Sequence, residues 1–206
     1  QGTANSFARA MEIPLDLTEA LRVIREGETR EVDVVKSSLG PMVLMGKIGF
    51  GAAMVTEAQR SDKDRVGSLA YLMAGAQQMG EQEPFLARLK GDEIQTELEV
   101  TALTVANVAP GTSLLAQGCG EVIPDDGQFE VTLASGDELG LGEVASLLAS
   151  AIRSSASEAD NILCFRTGSL SVTTKPSQRV VMDGEERGET PVEFNSVPGG
   201  LTVLVG

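Results

Sequence analysis

Short runs of Val, Leu, Ile and Thr, many of them alternating with polar residues, recur along the chain. They predict strands over residues 29–36, 42–50, 85–90, 94–108, 128–134, 170–174, 179–183, 192–194 and 201–205. The run 94–108 reads either as one bent strand or as two strands joined at a bulge. Elsewhere the apolar spacing changes to three and four. Asn5 to Met11 predicts a short helix that stops before Pro14. Asp16-Leu17-Thr18-Glu19 opens a second, with Leu17, Leu21 and Ile24 along one face and Gly27 as its stop. Residues 65–79 place Leu69, Leu72, Met73 and Ala76 on one side of a third helix. Residues 141–154 do the same with Val144, Leu147, Leu148 and Ile152. Strands dominate, and the helices are inserted rather than strictly alternating. The expected fold is therefore mostly β, a β-rich α+β chain or sandwich, and not a doubly wound parallel sheet.

Composition sharpens this reading. The 206 residues include 23 glycines and only 3% aromatics, which suits many short strands and turns. Thirty acidic against sixteen basic side chains give a net charge of −14. That balance argues against a nucleic-acid partner, whose phosphates need a basic surface, and against simple attraction to anionic membranes. The absence of histidine removes imidazole as a base or metal ligand, so triad hydrolases and His-bound zinc are excluded. Two cysteines without a CxxC motif, Cys119 and Cys164, predict neither a disulfide framework nor structural zinc, and fit a reducing cytoplasm. Cys119, flanked by Gly118 and Gly120 with no basic neighbour, reads as a small packing residue. No apolar run reaches the roughly 20 residues of a spanning helix, and no signal peptide is expected, so the chain is expected to be soluble.

Three segments carry candidate chemistry. Gly2-Thr3-Ala4-Asn5 precedes a helix. It reads first as a capping loop, and secondarily as a phosphate-facing one in which N–H groups and the Asn5 amide are donors. Pro124-Asp125-Asp126-Gly127 reads first as a turn, and otherwise as a site for a hard cation such as Mg²⁺. Asp183-Gly184-Glu185 follows an apolar strand. It is either an acidic hairpin in solvent or a pair of carboxylates turned into one cleft.

The order of these pieces adds a more specific signal. GTANSFARAMEIP, LTEALRVIREGETREVDV, IGFGAAMV, RVGSLAYLMAGAQQM, PDDGQFEVTL, VVMDGEERGETPVEF and PGGLTVLVG follow one another. The succession resembles the bacterial soluble lipid kinases related to diacylglycerol kinase and sphingosine kinase. That resemblance implies a two-layer antiparallel β-sandwich with a few inserted helices, bearing the lipid site. It also implies an upstream Rossmann-like nucleotide domain with a Gly-Gly-Asp-Gly-Thr loop, which this sequence lacks. Residues 1–28 would then be the interdomain crossing segment, and 29–206 the C-terminal sandwich.

The same resemblance assigns roles. Thr3 and Asn5 match positions that approach the phosphates of ATP. Asp33 matches an acidic member of the metal network. Asp126 matches the side-chain ligand of Mg²⁺, with the carbonyls of Ile123 and Gln128 as loop partners. Glu185 matches the general base, and Asp183 its carboxylate neighbour. Two departures stand out: Ser6 where many members carry Asp, and a loop at 109–120 that differs from the family's glycine triplet. The implied function is half of an ATP-dependent lipid kinase acting on a diacylglycerol-like hydroxyl at a membrane surface. It would be cytoplasmic with peripheral membrane contact, compatible with a homo-oligomer, and inactive as this piece alone. The competing readings are an NAD kinase-like enzyme and a non-catalytic lipid-sensing module.

Overall fold

The computed structural model describes residues 5–49, 83–110, 116, 119–120, 122–135 and 162–206. The expected helices at 65–79 and 141–154 lie outside them. In chain order the elements are α1 (Ser6–Ala10), α2 (Leu17–Glu26), β1 (Glu28–Ser37), β2 (Gly40–Met42), β3 (Met45–Ile48), β4 (Phe85–Gly91), β5 (Gln95–Val100) and β6 (Ala102–Ala106). There follow β7 (Phe129–Ala134), β8 (Ile162–Thr167), β9 (Ser169–Lys175), β10 (Arg179–Met182), β11 (Glu185–Glu189) and β12 (Val192–Val205).

The strands form two six-stranded sheets in the orders β2-β1-β12-β9-β4-β5 and β11-β10-β3-β6-β7-β8. Every neighbouring pair is antiparallel. The expected mostly-β, two-layer antiparallel sandwich is what the chain builds. Its core is made where the two sheets face each other, with Val35, Leu89, Val172 and Phe194 from the first packed with Ile48, Leu103, Val131 and Met182 of the second. Phe129 and Phe194 meet edge to face across the layers, ring centroids 6.5 Å apart.

The ambiguous run 94–108 resolves into two strands in different sheets. Its crossing point is Thr101, whose N–H donates to Ala134 O. The two strands expected at 192–194 and 201–205 are instead one long strand. β12 stays continuous because the extra residues around Pro198 bulge opposite Asp33, where the β1 register shifts between Val32 and Val34. The 42–50 run is broken into β2 and β3.

α1 packs through Phe7, Ala10 and Met11 against Val32, Val108 and Leu201. α2 is capped by the Asp16 carboxylate, which accepts from the N–H groups of Thr18 and Glu19. The Leu17–Leu21–Ile24 face is exposed, and Val23 is the residue the helix buries.

The second sheet is covered on its outer face too. Along β6 and β7 every residue is buried, core positions alternating with Ala102, Thr104 and Ala106 and with Glu130, Thr132 and Ala134. A buried face carrying Thr and Glu among alanines is not an ordinary apolar layer.

Candidate functional site

The β10–β11 hairpin turns on Asp183 (φ 51°) and Gly184 (φ 85°), both in the left-handed region that a two-residue hairpin turn needs. The Asp183 carboxylate does not share a cleft with Glu185. It accepts from the backbone N–H groups of Val43 (2.8 Å), Leu44 (2.8 Å) and Met45 (3.1 Å), and the Asp183 N–H donates back to Met45 O (3.0 Å). Glu185 instead projects into solvent, where Arg187 Nη2 lies 2.8 Å from its Oε2. One carboxylate fixes the turn, and the other is presented by it.

Asp33 is 1% exposed. Its Oδ2 accepts from Gly127 N–H (2.6 Å), its Oδ1 from Gly199 N–H (2.9 Å), and its own N–H donates to Pro124 O (2.7 Å). A buried carboxylate is stable there because both oxygens are bonded. Asn107, a residue not singled out from the sequence, ties this centre to the hairpin. Its Nδ2 donates to Asp33 O and to Val43 O, each at 2.8 Å, and its N–H donates to Leu44 O (2.9 Å). A continuous chain of hydrogen bonds thus runs from the Asp183 turn through 43–45 and Asn107 to Asp33 and the loop 124–128.

Within that loop, Asp126 Oδ1 accepts from Gln128 N–H (3.1 Å), and its other oxygen is paired with Arg166. Asp125 faces outward to Arg30, 2.7 Å from its Nη2. Arg166 also donates through Nε to Glu130 Oε1 (2.9 Å). Burial pushes the Glu130 carboxyl up to about 7, outweighing the attraction of the Arg166 charge. Its Oε2 is buried without a hydrogen-bond partner, as are Asn107 Oδ1 and Thr132 Oγ1. Ile123 is partly exposed beside the loop. Among the described residues no group of three or more acidic or Cys side chains converges on one point. A cation at Asp126 would therefore draw on one carboxylate and loop carbonyls, in competition with Arg166.

Asn5 heads α1 with φ 45°. Its carbonyl accepts from Arg9 N–H, and its side chain makes no capping bond. Thr3 lies outside the described residues. On the outer face of the second sheet, Lys47, Thr104, Thr132 and Cys164 stand directly opposite one another across β3, β6, β7 and β8. Burial lowers the pKa of Lys47.

The expectation of two unbridged thiols is overturned: Cys119 and Cys164 form a disulfide, their Cα atoms 5.4 Å apart. β8, a strand the sequence pattern did not reveal, carries Cys164 to the loop that holds Cys119. Among the described residues no helix is long and apolar enough to cross a membrane.

The sequence matches the family described as "YegS C-terminal NAD kinase beta sandwich-like domain" over residues 46–205. Residues 1–37 match the "Diacylglycerol kinase catalytic domain" family. A Synechocystis sp. protein, described only as uncharacterized, is 41% identical over 206 residues, covering 99% of this chain and 48% of the relative. A Xanthomonas axonopodis pv. citri protein named "Probable lipid kinase YegS-like" is 30% identical over 208 residues, covering 97% of this chain and 65% of the relative. The chain thus spans from about half to under two thirds of these relatives. The fold matches solved structures from Bacillus anthracis str. Sterne over the whole chain. One gives a TM-score of 0.73 at 19% identity, with 66% of it covered. Another, titled a diacylglycerol kinase, gives 0.69 at 18%, with 64% covered. With more than half of its length in that family's pattern, and with the two-sheet architecture the family description names, the chain belongs to the YegS-type C-terminal β-sandwich domain family of lipid kinase-like proteins.

Proposed function

We propose that the chain is the acceptor-binding half of an ATP-dependent lipid kinase that phosphorylates a diacylglycerol-like hydroxyl. The observation that carries this reading is the presentation of Glu185. It stands exposed on a hairpin whose preceding carboxylate, Asp183, is held by three backbone N–H groups. A general base needs a fixed position and access to the acceptor, and an anchored turn with an exposed Glu185 supports that role. In the reaction, the lipid oxygen attacks the γ-phosphorus of ATP, its proton passes to a Glu185 oxygen, and the bond from that phosphorus to the ADP oxygen breaks. Arg187 pairs with the Glu185 carboxylate beforehand, 2.8 Å away, and the proton is later released to water.

Thr3 and Asn5 are the residues that would face the ATP phosphates, Asn5 from the N-cap of α1. A Mg²⁺ ion would be held by Asp126 with the carbonyls of Ile123 and Gln128, and would supply oxygen-liganded positive charge that orders this loop. Asp33 belongs to the same network by holding Gly127 and Gly199. The arrangement fits such an ion if Arg166 leaves Asp126 for Glu130, whose buried Oε2 has an open acceptor position.

Residues 1–28 act as the crossing segment and 29–206 as the sandwich. The exposed Leu17, Leu21 and Ile24 supply an apolar face for a preceding nucleotide domain to cover. The working location is the cytoplasm, in peripheral contact with a membrane. The test is to assay the chain joined to its nucleotide domain with ATP and a short-chain diacylglycerol in mixed micelles. Phosphate transfer that depends on Glu185 is expected. Lipid binding with no consumption of ATP, or phosphorylation of NAD instead of lipid, would overturn the proposal.

A further inference from the structure

We propose that Cys119 and Cys164 are a redox modification site, a two-electron thiol/disulfide couple that sets how firmly the Asp126 loop is held. This inference stands on geometry alone and is independent of the kinase reading.

The two cysteines are 45 residues apart in sequence, yet their Cα atoms are 5.4 Å apart, inside the range a disulfide spans. They are the only cysteines in this sequence, so neither has a competing partner within it. Both are partly exposed, within reach of an attacking thiolate. Their placement gives the bond its consequence. Cys164 sits on β8 two residues before Arg166, the partner of Asp126, and Cys119 lies seven residues before Asp126 itself. On its far side the loop is held by Asp33, through Gly127 N–H and Pro124 O. The near side rests on small side chains: Ala116 and Val122 pack against Ala106, with Met45 and Ala109. Among the described residues that packing is joined by the exposed Arg30–Asp125 and part-exposed Arg166–Asp126 ion pairs, and a covalent tie adds a restraint that neither solvent nor salt screens.

The chemistry balances with a dithiol of the thioredoxin class as reductant. One of its thiolates attacks a sulfur of the pair and forms a mixed disulfide, which its second thiol resolves. Two electrons and two protons end on Cys119 and Cys164, and the reductant leaves as a disulfide. Glutathione disulfide reverses the step by the same exchange.

The full-length protein, equilibrated in glutathione buffers of graded redox ratio, is alkylated and mapped by mass spectrometry. The Cys119 and Cys164 peptides should gain and lose their label together and be linked to each other when oxidised. Hydrogen exchange read on the same samples should become about tenfold faster over residues 122–130 on reduction, and stay unchanged over 169–175. A Cys119→Ser, Cys164→Ser variant should exchange fast over 122–130 in every buffer. Cysteines that stay reduced at all ratios, or that link to other molecules, overturn the proposal. So does exchange over 122–130 that ignores their state.

Discussion

Asp183 and Glu185 are separated by a single glycine, but their carboxylates point to different work. Asp183 gathers three N–H groups of 43–45, while Glu185 faces Arg187 and solvent. Substitutions should separate these roles. In the protein joined to its nucleotide domain, Glu185→Gln should lower turnover by roughly 10²–10⁴-fold, the usual contribution of a general base, with melting temperature and ATP affinity little changed. Asp183→Asn should act first on the fold, because an amide offers one acceptor oxygen where three donors converge. A loss of about 1–3 kcal/mol is expected from the unsatisfied N–H groups. Steady-state kinetics and thermal melts on both variants decide it. Full turnover in Glu185→Gln would remove the base from this position.

Asp33 is a structural tie whatever binds nearby, since both of its oxygens already accept N–H donors. Asp33→Asn would aim an amide N–H₂ at either Gly127 or Gly199. It should therefore cost about 1–3 kcal/mol, or roughly 2–12 °C in melting temperature for a chain of this size. The drop should be the same in excess chelator as in Mg²⁺. A loss that appears only with Mg²⁺ present would instead make Asp33 a ligand.

A cation at Asp126 would compete with Arg166 for the carboxylate, which gives the metal assignment two opposite tests. At ten times its dissociation constant, Mg²⁺ would add about 1.4 kcal/mol of stability, or roughly 3–6 °C. Asp126→Ala should abolish that rise. Arg166→Gln should enlarge it, because the competing charge is gone while the carboxylate remains. If the Mg²⁺ response is the same in all three proteins, Asp126 is not the site.

How much of this was legible beforehand follows from which residues have an apolar face. Strands β1, β4, β7, β9 and β10 carry alternating or buried runs, so their pattern marked them. β11 is exposed except at the half-buried Gly188, and Glu-Glu-Arg-Gly-Glu has no apolar side to betray a strand. β8 was missed because its apolar run Ile162-Leu163-Cys164-Phe165 is only four residues long and does not alternate with polar ones. Gly199, Gly200 and Pro198 read as a break, while the bulge around Asp33 carries β12 through it. The candidate acidic residues were visible as motifs. Their partners were not: Asn107 reaches Asp33 across 74 residues, Arg166 reaches Asp126 across 40, and Cys119 reaches Cys164 across 45. No local pattern encodes such distances.

Asp92 makes the loop architecture depend on pH. From the β4–β5 turn its Oδ1 accepts from Ser169 Oγ (2.6 Å). Its Oδ2 accepts from Gly168 N–H (2.8 Å), Thr167 Oγ1 (2.9 Å) and Ser169 N–H (3.2 Å). The Ser169 hydroxyl first, then the Gly168 N–H and the Thr167 hydroxyl, hold the carboxyl below its usual range. Because the folded pKa lies below the unfolded one, the unfolded chain binds more protons between the two values. The stabilising contribution is therefore present above the ordinary Asp range, and is lost as pH falls through the lowered folded value. Asp92→Asn should cost about 1 kcal/mol at neutral pH, a modest figure because the group is exposed. The gap between wild type and variant should then close as melts are taken from pH 7 down to pH 2. A constant gap across that range would mean the carboxylate charge is not what holds the turn. The consequence reaches the site, since Gly168 follows Arg166 by two residues and packs so closely on Gly127 that an added Cβ would lie 3.2 Å from the Gly127 carbonyl oxygen. A turn that loosens in acid should therefore release Arg166 from Asp126 before the sandwich itself unfolds. Hydrogen-exchange protection, corrected for the intrinsic pH dependence of exchange, should fall over 122–130 at a higher pH than over 170–175.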